Sequence, residues 1–308
     1  MIKYLFFFTL ITFYSCGNVD TQINDRIPST LSNKSKIKVS LTAFGDSITL
    51  GANANSRYGE FVPADIFRKD LSPLLVGYNN TNIITRKLSI TSKSAILTRK
   101  DWGLRRILAK ENNCQIKDIE TYVAAQWGQK MVFLNSYFNS LKNIYKQNNY
   151  VSQYVTLFIG ANDFCTSVSL SAFESMYQKN LTEILKMHPR STIIVFLIPN
   201  ILETLKYRND SSSLFKCNFT SHWCDALYDK NAKNRLQNFN KVIVNAVTKS
   251  EENFKGNIIL IDKVNEIKIS EEDLSFDCFH LSELGQFKIA ELIQKKYEEL
   301  TVFNKLTK

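Results

Sequence analysis

The sequence predicts an α/β fold in which helices cover both faces of a mostly parallel β-sheet. Two observations predict it: short apolar runs rich in β-branched residues recur along the chain, and segments with helical spacing lie between them. Nearly continuous apolar runs are typical of strands that are buried on both faces. The predicted strands are Val39–Phe44, Glu120–Ala124, Tyr154–Ile159, Thr192–Ile198 and Asn257–Ile261.

The predicted helices carry apolar residues at steps of three and four. In Met131–Tyr145, for example, Met131, Leu134 and Phe138 share one helical face. The other predicted helices are Phe173–Met187, Leu236–Val247 and Leu284–Tyr297. Because strands and helices alternate, the carboxyl ends of the strands should meet at one edge of the sheet, where catalytic groups gather. The segment Gly77–Asn113 does not follow this alternation, and we interpret it as an insertion.

Composition and charge are those of an ordinary globular protein. The chain has 308 residues, of which 44% are hydrophobic and 22% are charged, enough to bury a core. A formal net charge of +10 favours contact with anionic membrane surfaces, but the basic residues are scattered, as on an ordinary solvated face, which is the alternative. No array of basic and aromatic residues indicates nucleic-acid binding. No group of histidines and cysteines has the spacing of a metal site, so we expect neither a metal nor another cofactor.

The amino terminus has the pattern of an export signal. In residues 1–17 one lysine precedes an apolar run of about eleven residues, which is too short to span a membrane. A short buried helix is the alternative, but the polar segment 18–37 that follows argues against it. Cleavage after Gly17 and lipidation of Cys16, in a sequence that loosely resembles a bacterial lipobox, both remain open. Either route predicts a secreted or extracytoplasmic protein with one domain over residues 38–308.

The cysteine count predicts disulfides. If Cys16 belongs to the signal or carries a lipid, five cysteines remain, namely Cys114, Cys165, Cys217, Cys224 and Cys278. An oxidising compartment then favours two disulfides and one free thiol. Cys217 and Cys224 are close in sequence and are the first predicted pair.

A candidate nucleophile, Ser47 of the tripeptide Gly-Asp-Ser, follows the first predicted strand. A serine hydroxyl needs a base, and histidine is the usual one. We interpret His188 as a solvated loop residue and His222 as a surface or loop-packing residue. His280 differs because Asp277 precedes it by three residues, so the carboxylate can hold Nδ1 while Nε2 faces Ser47. An ordinary turn or helix cap is the alternative for Asp277.

Donors for a developing oxyanion follow two other predicted strands. Asn162, in Gly-Ala-Asn-Asp, comes after the strand Tyr154–Ile159, and Gly128 comes after Glu120–Ala124. The N–H group of Ser47 is a third predicted donor. An Asx turn is the alternative for Asn162.

Gly-Asp-Ser, Gly-X-Asn-Asp and Asp-X-X-His, in this order, resemble the sequence blocks of the SGNH or GDSL-type hydrolases. Within that superfamily, TLFIGANDFC (156–165) and DCFHLSELG (277–285) look most like the phospholipase B branch, as does the cysteine-bounded insert that precedes Asn-Phe-Asn-Lys at 238–241. The resemblance covers roughly Val39 to Lys295. The first block ends in Ile48 where the family has leucine, a conservative apolar change.

The resemblance implies a flavodoxin-like three-layer α/β/α sandwich and a metal-free esterase or lipase mechanism. It assigns the nucleophile to Ser47, the acid and base to Asp277 and His280, and the oxyanion donors to Gly128 and Asn162. The implied substrates are acyl esters, above all glycerophospholipids or lysophospholipids. A carbohydrate O-acetylesterase and a non-catalytic lipid- or glycan-binding protein are the alternatives.

The implied fold also predicts a disulfide between Cys165 and Cys278. These cysteines lie three residues after Asn162 and one residue after Asp277, respectively, and the fold would bring both to the same crevice. Two small buried hydrophobic residues are the alternative.

Overall fold

The fold is that of a computed structural model. It describes residues 39–50, 86–87, 104–115, 119–125, 128–138, 141–142, 152–208, 224–254, 257–275 and 277–306. The predicted signal (1–17), the polar segment (18–37), Cys217 and His222 lie outside these residues.

The described strands form one six-stranded sheet in the order β2-β3-β1-β4-β5-β6. They are β1 (Ser40–Gly45), β2 (Arg86–Lys87), β3 (Glu120–Ala125), β4 (Tyr154–Phe158), β5 (Thr192–Phe196) and β6 (Asn257–Ile261). β2 pairs antiparallel with β3 at one edge, and the other strands pair in parallel. The predicted, mostly parallel sheet is thus confirmed.

The register of the central strands aligns the segments that carry the site. Gly45 at the end of β1 lies opposite Ala125 of β3 and opposite Phe158 of β4. The chain therefore leaves all three strands at the same level, on the side of the sheet where the parallel strands have their carboxyl ends. This alignment brings the segments after β1, β3 and β4 together.

Besides further helical residues at 135–138 and 141–142, seven helices with complete bounds accompany the sheet. They are α1 (Ser47–Leu50), α2 (Leu104–Glu111), α3 (Ala161–Cys165), α4 (Leu170–Met187), α5 (Leu205–Arg208), α6 (Ala232–Asn253) and α7 (Glu283–Leu306). α4 packs on α6, and α7 contacts α2 and β6. The fold is a flavodoxin-like α/β sandwich, as the sequence predicts.

Helix α4 shows how the apolar spacing acts. It begins after Ser169, whose Oγ accepts the Ala172 N–H at 3.2 Å, a typical N-cap. Its buried face includes Phe173, Tyr177 and Leu181, which recur every four residues. Burial of this stripe, more than intrinsic propensity, stabilises the helix.

Two strands end before their predicted limits, for local reasons. The predicted strand Tyr154–Ile159 stops at Phe158 because Gly160, with φ of +129°, turns the chain into α3. The predicted strand Thr192–Ile198 stops at Phe196. Beyond it, the Asn240 side chain replaces a strand partner, since its Oδ1 accepts the Ile198 N–H at 2.8 Å and its Nδ2 donates to the Ile198 carbonyl at 3.0 Å.

The insertion predicted over Gly77–Asn113 contributes to the body of the fold in its described part. Arg86–Lys87 extends the sheet as β2, and Leu104 and Leu108 of α2 are fully buried. A helix that places two leucines in the core is not an appended insert. The interpretation as an insertion is therefore wrong for α2, whereas the antiparallel edge strand β2 does depart from the alternation of parallel strands and helices.

The helix predicted over Met131–Tyr145 begins with a 3₁₀ turn, Met131–Phe133. Met131, Leu134, Phe138 and Leu141 are buried, as their spacing predicts. Residues from 143 to 150 lie outside the described part of the chain.

Both predicted disulfides are wrong, because Cys165 is bonded to Cys224. Cys165 ends α3, which packs against the turn that follows Cys224, so tertiary contact overrides proximity in sequence. Cys114 and Cys278 are also disulfide-bonded, and none of the described cysteines is the expected free thiol. The pairing of several cysteines is not deducible from their positions in the sequence.

None of the helices within the described ranges is both long enough and apolar enough to cross a membrane.

Candidate active site

Three of the predicted residues are joined by two hydrogen bonds. His280 Nε2 lies 2.8 Å from Ser47 Oγ, and His280 Nδ1 lies 2.6 Å from Asp277 Oδ2. All three side chains are buried. The structure thus brings together the hydroxyl, the imidazole and the carboxylate that the sequence analysis singled out.

The carboxylate of Asp277 is held by its own loop. Its Oδ1 accepts hydrogen bonds from Ser275 Oγ at 2.7 Å and from the N–H groups of Phe279 and His280 at 2.9 and 2.8 Å. This leaves Oδ2 to the imidazole. The Asp-X-X-His spacing therefore works through a tight turn whose backbone fixes the carboxylate.

The charge state of Asp277 decides which ring nitrogen of His280 carries the proton. Burial by itself would raise the pKa of the Asp277 carboxyl, but the charge of His280 and the hydrogen bonds from His280 and Ser275 hold that pKa below its ordinary value of 3.8. An ionised carboxylate can only accept a hydrogen bond, so Nδ1 is the donor. Nε2 of a neutral His280 is then an acceptor that faces Ser47.

Backbone hydrogen bonds fix the loop that carries Asp277 and His280. Ser275 N–H donates to the His280 carbonyl at 2.8 Å, and Ser282 N–H donates to the Asp273 carbonyl at 2.8 Å. The first turn of α7 closes against this loop at a glycine. A Cβ at Gly285 would lie 2.3 Å from the Asp273 carbonyl oxygen, so a larger residue would push the loop away.

Ser47 begins α1 directly after β1, at a turn that depends on its two preceding residues. Asp46 Oδ1 accepts the Ile48 N–H at 2.9 Å, which satisfies a donor at the start of the helix. A Cβ at Gly45 would lie 2.6 Å from the Phe158 carbonyl oxygen. Only glycine lets the Ser47 turn approach the sheet this closely.

Asn162, the predicted side-chain donor, lies in α3 beside this turn. Its Nδ2 is 3.2 Å from the Gln129 carbonyl oxygen and 3.5 Å from Asp46 Oδ2. The side chain is half-buried. Asn162 therefore connects the segment after β3 with the turn after β1.

Gly128, the predicted backbone donor, is exposed at the same edge of the sheet. Its φ of +66° lies in the left-handed region that favours glycine. The turn that follows is firmly held, because Met131 N–H donates to both carboxylate oxygens of Asp163 at 3.1 and 2.9 Å. Asn180 Nδ2 also donates to the Met131 carbonyl, at 2.7 Å.

Two buried carboxylates at the site were given no role by the sequence analysis. Burial raises the pKa of Asp46 to about 7, although the Ile48 N–H and the charge of His280 act in the opposite direction. Burial likewise raises the pKa of Asp163 to about 6 against the hydrogen bond from Met131. The signal was present in the sequence, since Asp46 precedes Ser47 and Asp163 follows Asn162.

His188 is not the solvated loop residue that the sequence suggests. It is 1% exposed, its ring lies against Phe44 with centroids 6.5 Å apart, and burial lowers its pKa to about 4. It precedes β5, at the sheet edge opposite to Ser47. The apolar surroundings were not visible in the polar sequence Lys-Met-His-Pro-Arg around it.

The arrangement is chemically suited to activating a hydroxyl. A base within hydrogen-bond reach of Ser47, itself oriented by a carboxylate, is the geometry that nucleophilic catalysis by serine requires. Within the described ranges, no three His, Cys, Asp or Glu side chains are grouped so as to hold a metal ion.

Solved structures similar to this chain include several esterases. A family 3 carbohydrate esterase from Clostridium thermocellum is 16% identical with a TM-score of 0.48, over 85% of this chain and 96% of that one. The lipase Lip_vut3 from a goat rumen metagenome is 17% identical with a TM-score of 0.49, over 84% and 97%. The psychrotrophic esterase EstA from Pseudoalteromonas sp. is 12% identical with a TM-score of 0.44, over 85% and 98%.

The sequence itself decides the family. No curated protein matches the chain significantly. Residues 41–293, however, match the family described as GDSL-like Lipase/Acylhydrolase, over a range that contains all the predicted site residues. The chain therefore belongs to the GDSL-like lipase and acylhydrolase family, the superfamily that its three sequence blocks resemble.

Proposed function

We propose that this protein is a serine esterase that hydrolyses acyl esters, with Ser47 as nucleophile, His280 as general base and Asp277 as its orienting carboxylate. Membership of an acylhydrolase family supports hydrolysis of an ester bond. The observation that carries the assignment of residues is the pair of hydrogen bonds from His280, at 2.8 Å to Ser47 and at 2.6 Å to Asp277.

In the proposed reaction, Ser47 Oγ attacks the ester carbonyl while His280 Nε2 takes its proton. Asp277 stabilises the imidazolium that forms, without itself becoming protonated. His280 then donates the proton to the leaving alcohol, and an acyl-enzyme remains on Ser47. Water repeats the sequence and releases the acid.

The proposed oxyanion donors are the N–H groups of Ser47 and Gly128 and the side-chain amide of Asn162. Support comes from their placement at the aligned ends of β1, β3 and β4. Fixed donors stabilise the charge that develops on the carbonyl oxygen without reorganising during the reaction. The held turn after Gly128 and the contact between Asn162 and Gln129 favour such fixed donors.

The proposed substrates are glycerophospholipids or lysophospholipids. This choice rests on the resemblance of residues 156–165, of residues 277–285 and of the cysteine-bounded insert before 238–241 to the phospholipase B branch. The excess of basic residues over acidic ones, which the removal of Lys3 with the signal lowers by only one, would favour approach to an anionic lipid surface. Removal of acetyl groups from a glycan is the competing activity.

We also propose that the protein works outside the cytoplasm, as one domain over residues 38–308. The disulfide Cys165–Cys224 is consistent with an oxidising compartment. The export signal and a lipid anchor on Cys16 belong to this proposal and rest on the sequence of residues 1–17.

The experiment compares the purified protein with its Ser47→Ala variant on a short-chain ester and on a long-chain lysophospholipid. We expect the variant to lose at least about 10⁴-fold in kcat on whichever ester the protein hydrolyses. A preference for the lysophospholipid would support the lipid substrate, and a preference for the short-chain ester would favour removal of acetyl groups from a glycan. Equal rates for the two proteins would contradict the serine mechanism.

If folded, disulfide-intact protein hydrolyses neither ester, the result favours the third possibility, a protein that binds lipids or glycans without cleaving them. Binding of the same lysophospholipid by the Ser47→Ala variant, measured by calorimetry, then identifies the ligand.

A further inference from the structure

We propose that Asp46 is a positioning residue that holds the amide of Asn162 in place relative to Ser47. The inference rests on the proposed function, in which Asn162 donates to the oxyanion. Asp46 touches neither the substrate nor the reacting atoms in this proposal; it acts through Asn162.

The two carboxylate oxygens of Asp46 face different parts of the site. Oδ1 accepts the Ile48 N–H at 2.9 Å and so holds the turn that begins with Ser47. Oδ2 faces Asn162 Nδ2 at 3.5 Å. Because Asp46 is 1% exposed, its side chain has little freedom to rotate. One rigid group therefore links the segment of the nucleophile with the proposed donor.

The hydrogens of the Asn162 amide explain why this link suits an oxyanion donor. Nδ2 carries two hydrogens, and the Gln129 carbonyl oxygen at 3.2 Å takes one. Asp46 Oδ2 takes the second only at the limit of hydrogen-bond distance, 3.5 Å. The second hydrogen is thus oriented but only weakly hydrogen-bonded. Asn162 can therefore donate this hydrogen bond instead to an oxyanion that forms beside Ser47.

An acceptor at Oδ2 also fixes which way the amide faces. With Gln129 and Asp46 both presenting oxygen atoms, the nitrogen of Asn162 is favoured on the side of Ser47, and the carbonyl oxygen is disfavoured there. If the amide turned over, its oxygen would face two acceptors and would repel the oxyanion. Asp46 therefore selects the productive orientation of Asn162.

The experiment is a double-mutant cycle between Asp46→Asn and Asn162→Ala. Asparagine at 46 keeps an oxygen for the Ile48 N–H but replaces Oδ2 with an NH₂ group, which cannot accept from Asn162. We expect Asp46→Asn alone to lower kcat by about 10- to 100-fold, with KM changed by less than about threefold. In the Asn162→Ala background the same change should lower kcat by less than about twofold.

The matched control is Thr49→Val, which removes a buried hydrogen bond from the same helix. Thr49 Oγ1 donates to the Phe158 carbonyl at 3.2 Å. Whatever effect this change has on kcat, it should be equal in the two backgrounds, because it does not act through Asn162. Thermal unfolding of each variant separates loss of folded protein from loss of kcat.

An equal fold-loss for Asp46→Asn in both backgrounds would overturn the proposal, since Asp46 would then act independently of Asn162. If Asp46→Asn does not fold, Asp46→Ser replaces it in the cycle, because serine can still accept the Ile48 N–H and is too short to reach Asn162. The proposed function fails by a different result: wild-type activity that does not depend on Ser47.

Discussion

The two sides of the active site are built differently. On the side of the base, the Asp277 carboxylate receives hydrogen bonds from Ser275 Oγ, the Phe279 N–H and both the N–H and the ring of His280. Its loop is closed by backbone hydrogen bonds at Ser275 and Ser282. On the side of the proposed oxyanion donors, Asn162 is half-buried, and its side-chain amide donates to Gln129 at 3.2 Å but to Asp46 only at 3.5 Å, the limit of hydrogen-bond distance. Gly128 is exposed, and a Cβ there would have no heavy atom within 4 Å in the part of the chain that the structure describes.

The difference follows from when each group acts. The base must be oriented and in the correct tautomer before the substrate arrives, so its hydrogen bonds are already complete. An oxyanion exists only in the transition state and the intermediate that follows, so its donors must keep hydrogens that a strong acceptor can claim. In the proposed reaction, the base therefore benefits from hydrogen bonds that are already complete. The donors benefit from N–H groups that can still form a hydrogen bond with the oxyanion.

We call the side of the base, with Asp277 and His280, the saturated side, and the side of the proposed donors, with Gly128 and Asn162, the open side. The largest expected effect comes from a substitution of Asp277 on the saturated side. Asp277→Asn should lower kcat by about 10⁴-fold: the three donors at Oδ1 would retain the amide oxygen, so the NH₂ group would face Nδ1, and His280 would carry its proton on Nε2 instead. A neutral amide also cannot stabilise the imidazolium as a carboxylate does. Steady-state kinetics on a soluble ester measure the loss. Asp262→Asn, an exposed carboxylate elsewhere in the chain, is the matched control and should keep its activity. Wild-type turnover in Asp277→Asn would remove Asp277 from the mechanism.

On the other side, Asn162→Ala should lower kcat by about 10²-fold with little change in KM, since one of several donors is lost. The control is Asn253→Ala, in which an exposed amide that bonds the Lys249 carbonyl is removed from the end of α6. An Asn162→Ala enzyme with unchanged turnover would show that Asn162 is not a donor.

The sequence predicted the saturated side better than the open one. Asp277 and His280 are three residues apart, so one local turn brings them together, and a motif in the sequence is enough to find them. Their contact with Ser47 depends on the arrangement of the strands in the sheet. The alternation of strands and helices predicts that this sheet is parallel, so that the carboxyl ends of its strands lie on the same side. The fold class and all five strands of the parallel sheet were found in the same way.

What the sequence could not supply are pairings across large separations that follow no repeating pattern. The disulfide Cys165–Cys224 joins residues 59 apart. Burial of His188 involves Phe44 of β1, which lies 144 residues earlier, and the short strand β2 is recognisable only by its pairing with β3. The contact of Asp46 with Asn162 spans 116 residues, so the motif showed both residues but not their interaction.

Substitutions of two glycines on the open side, Gly128 and Gly160, measure how far neighbouring side chains constrain the backbone there. Gly128→Ala keeps the N–H and meets no described neighbour, so only the left-handed φ is penalised, by about 1–2 kcal/mol. Gly160→Ala should cost more stability, because its Cβ would also lie 3.0 Å from Ile198 and 3.2 Å from Phe173. We expect kcat to fall less than about tenfold in Gly128→Ala and further in Gly160→Ala. Thermal unfolding and kinetics that rank them in reverse would contradict this account.

The smallest expected effect is a difference in how the two sides respond to pH. The folded state holds the pKa of Asp277 below its ordinary value of 3.8, so the stability that this carboxylate provides is present above about pH 4 and is lost as the pH falls. Burial raises the pKa of Asp163 to about 6, so the folded state binds that proton more tightly than the unfolded state does. Its contribution to stability is therefore greatest in acid and is lost as the pH rises from about 4 to 6.

Melting temperatures of the wild type, Asp163→Asn and Asp277→Asn between pH 3 and 8 measure these opposite slopes. Relative to the wild type, Asp163→Asn should gain stability as the pH rises through 4 to 6, because asparagine has no proton to lose. Asp277→Asn should lose stability relative to the wild type as the pH rises from 3 to about 5. Any constant cost of placing an amide at either position shifts the curves without changing their slopes. If melting temperature changes with pH in the same way in the two variants, the folded state does not shift the pKa values of Asp163 and Asp277 in opposite directions, and this account is wrong.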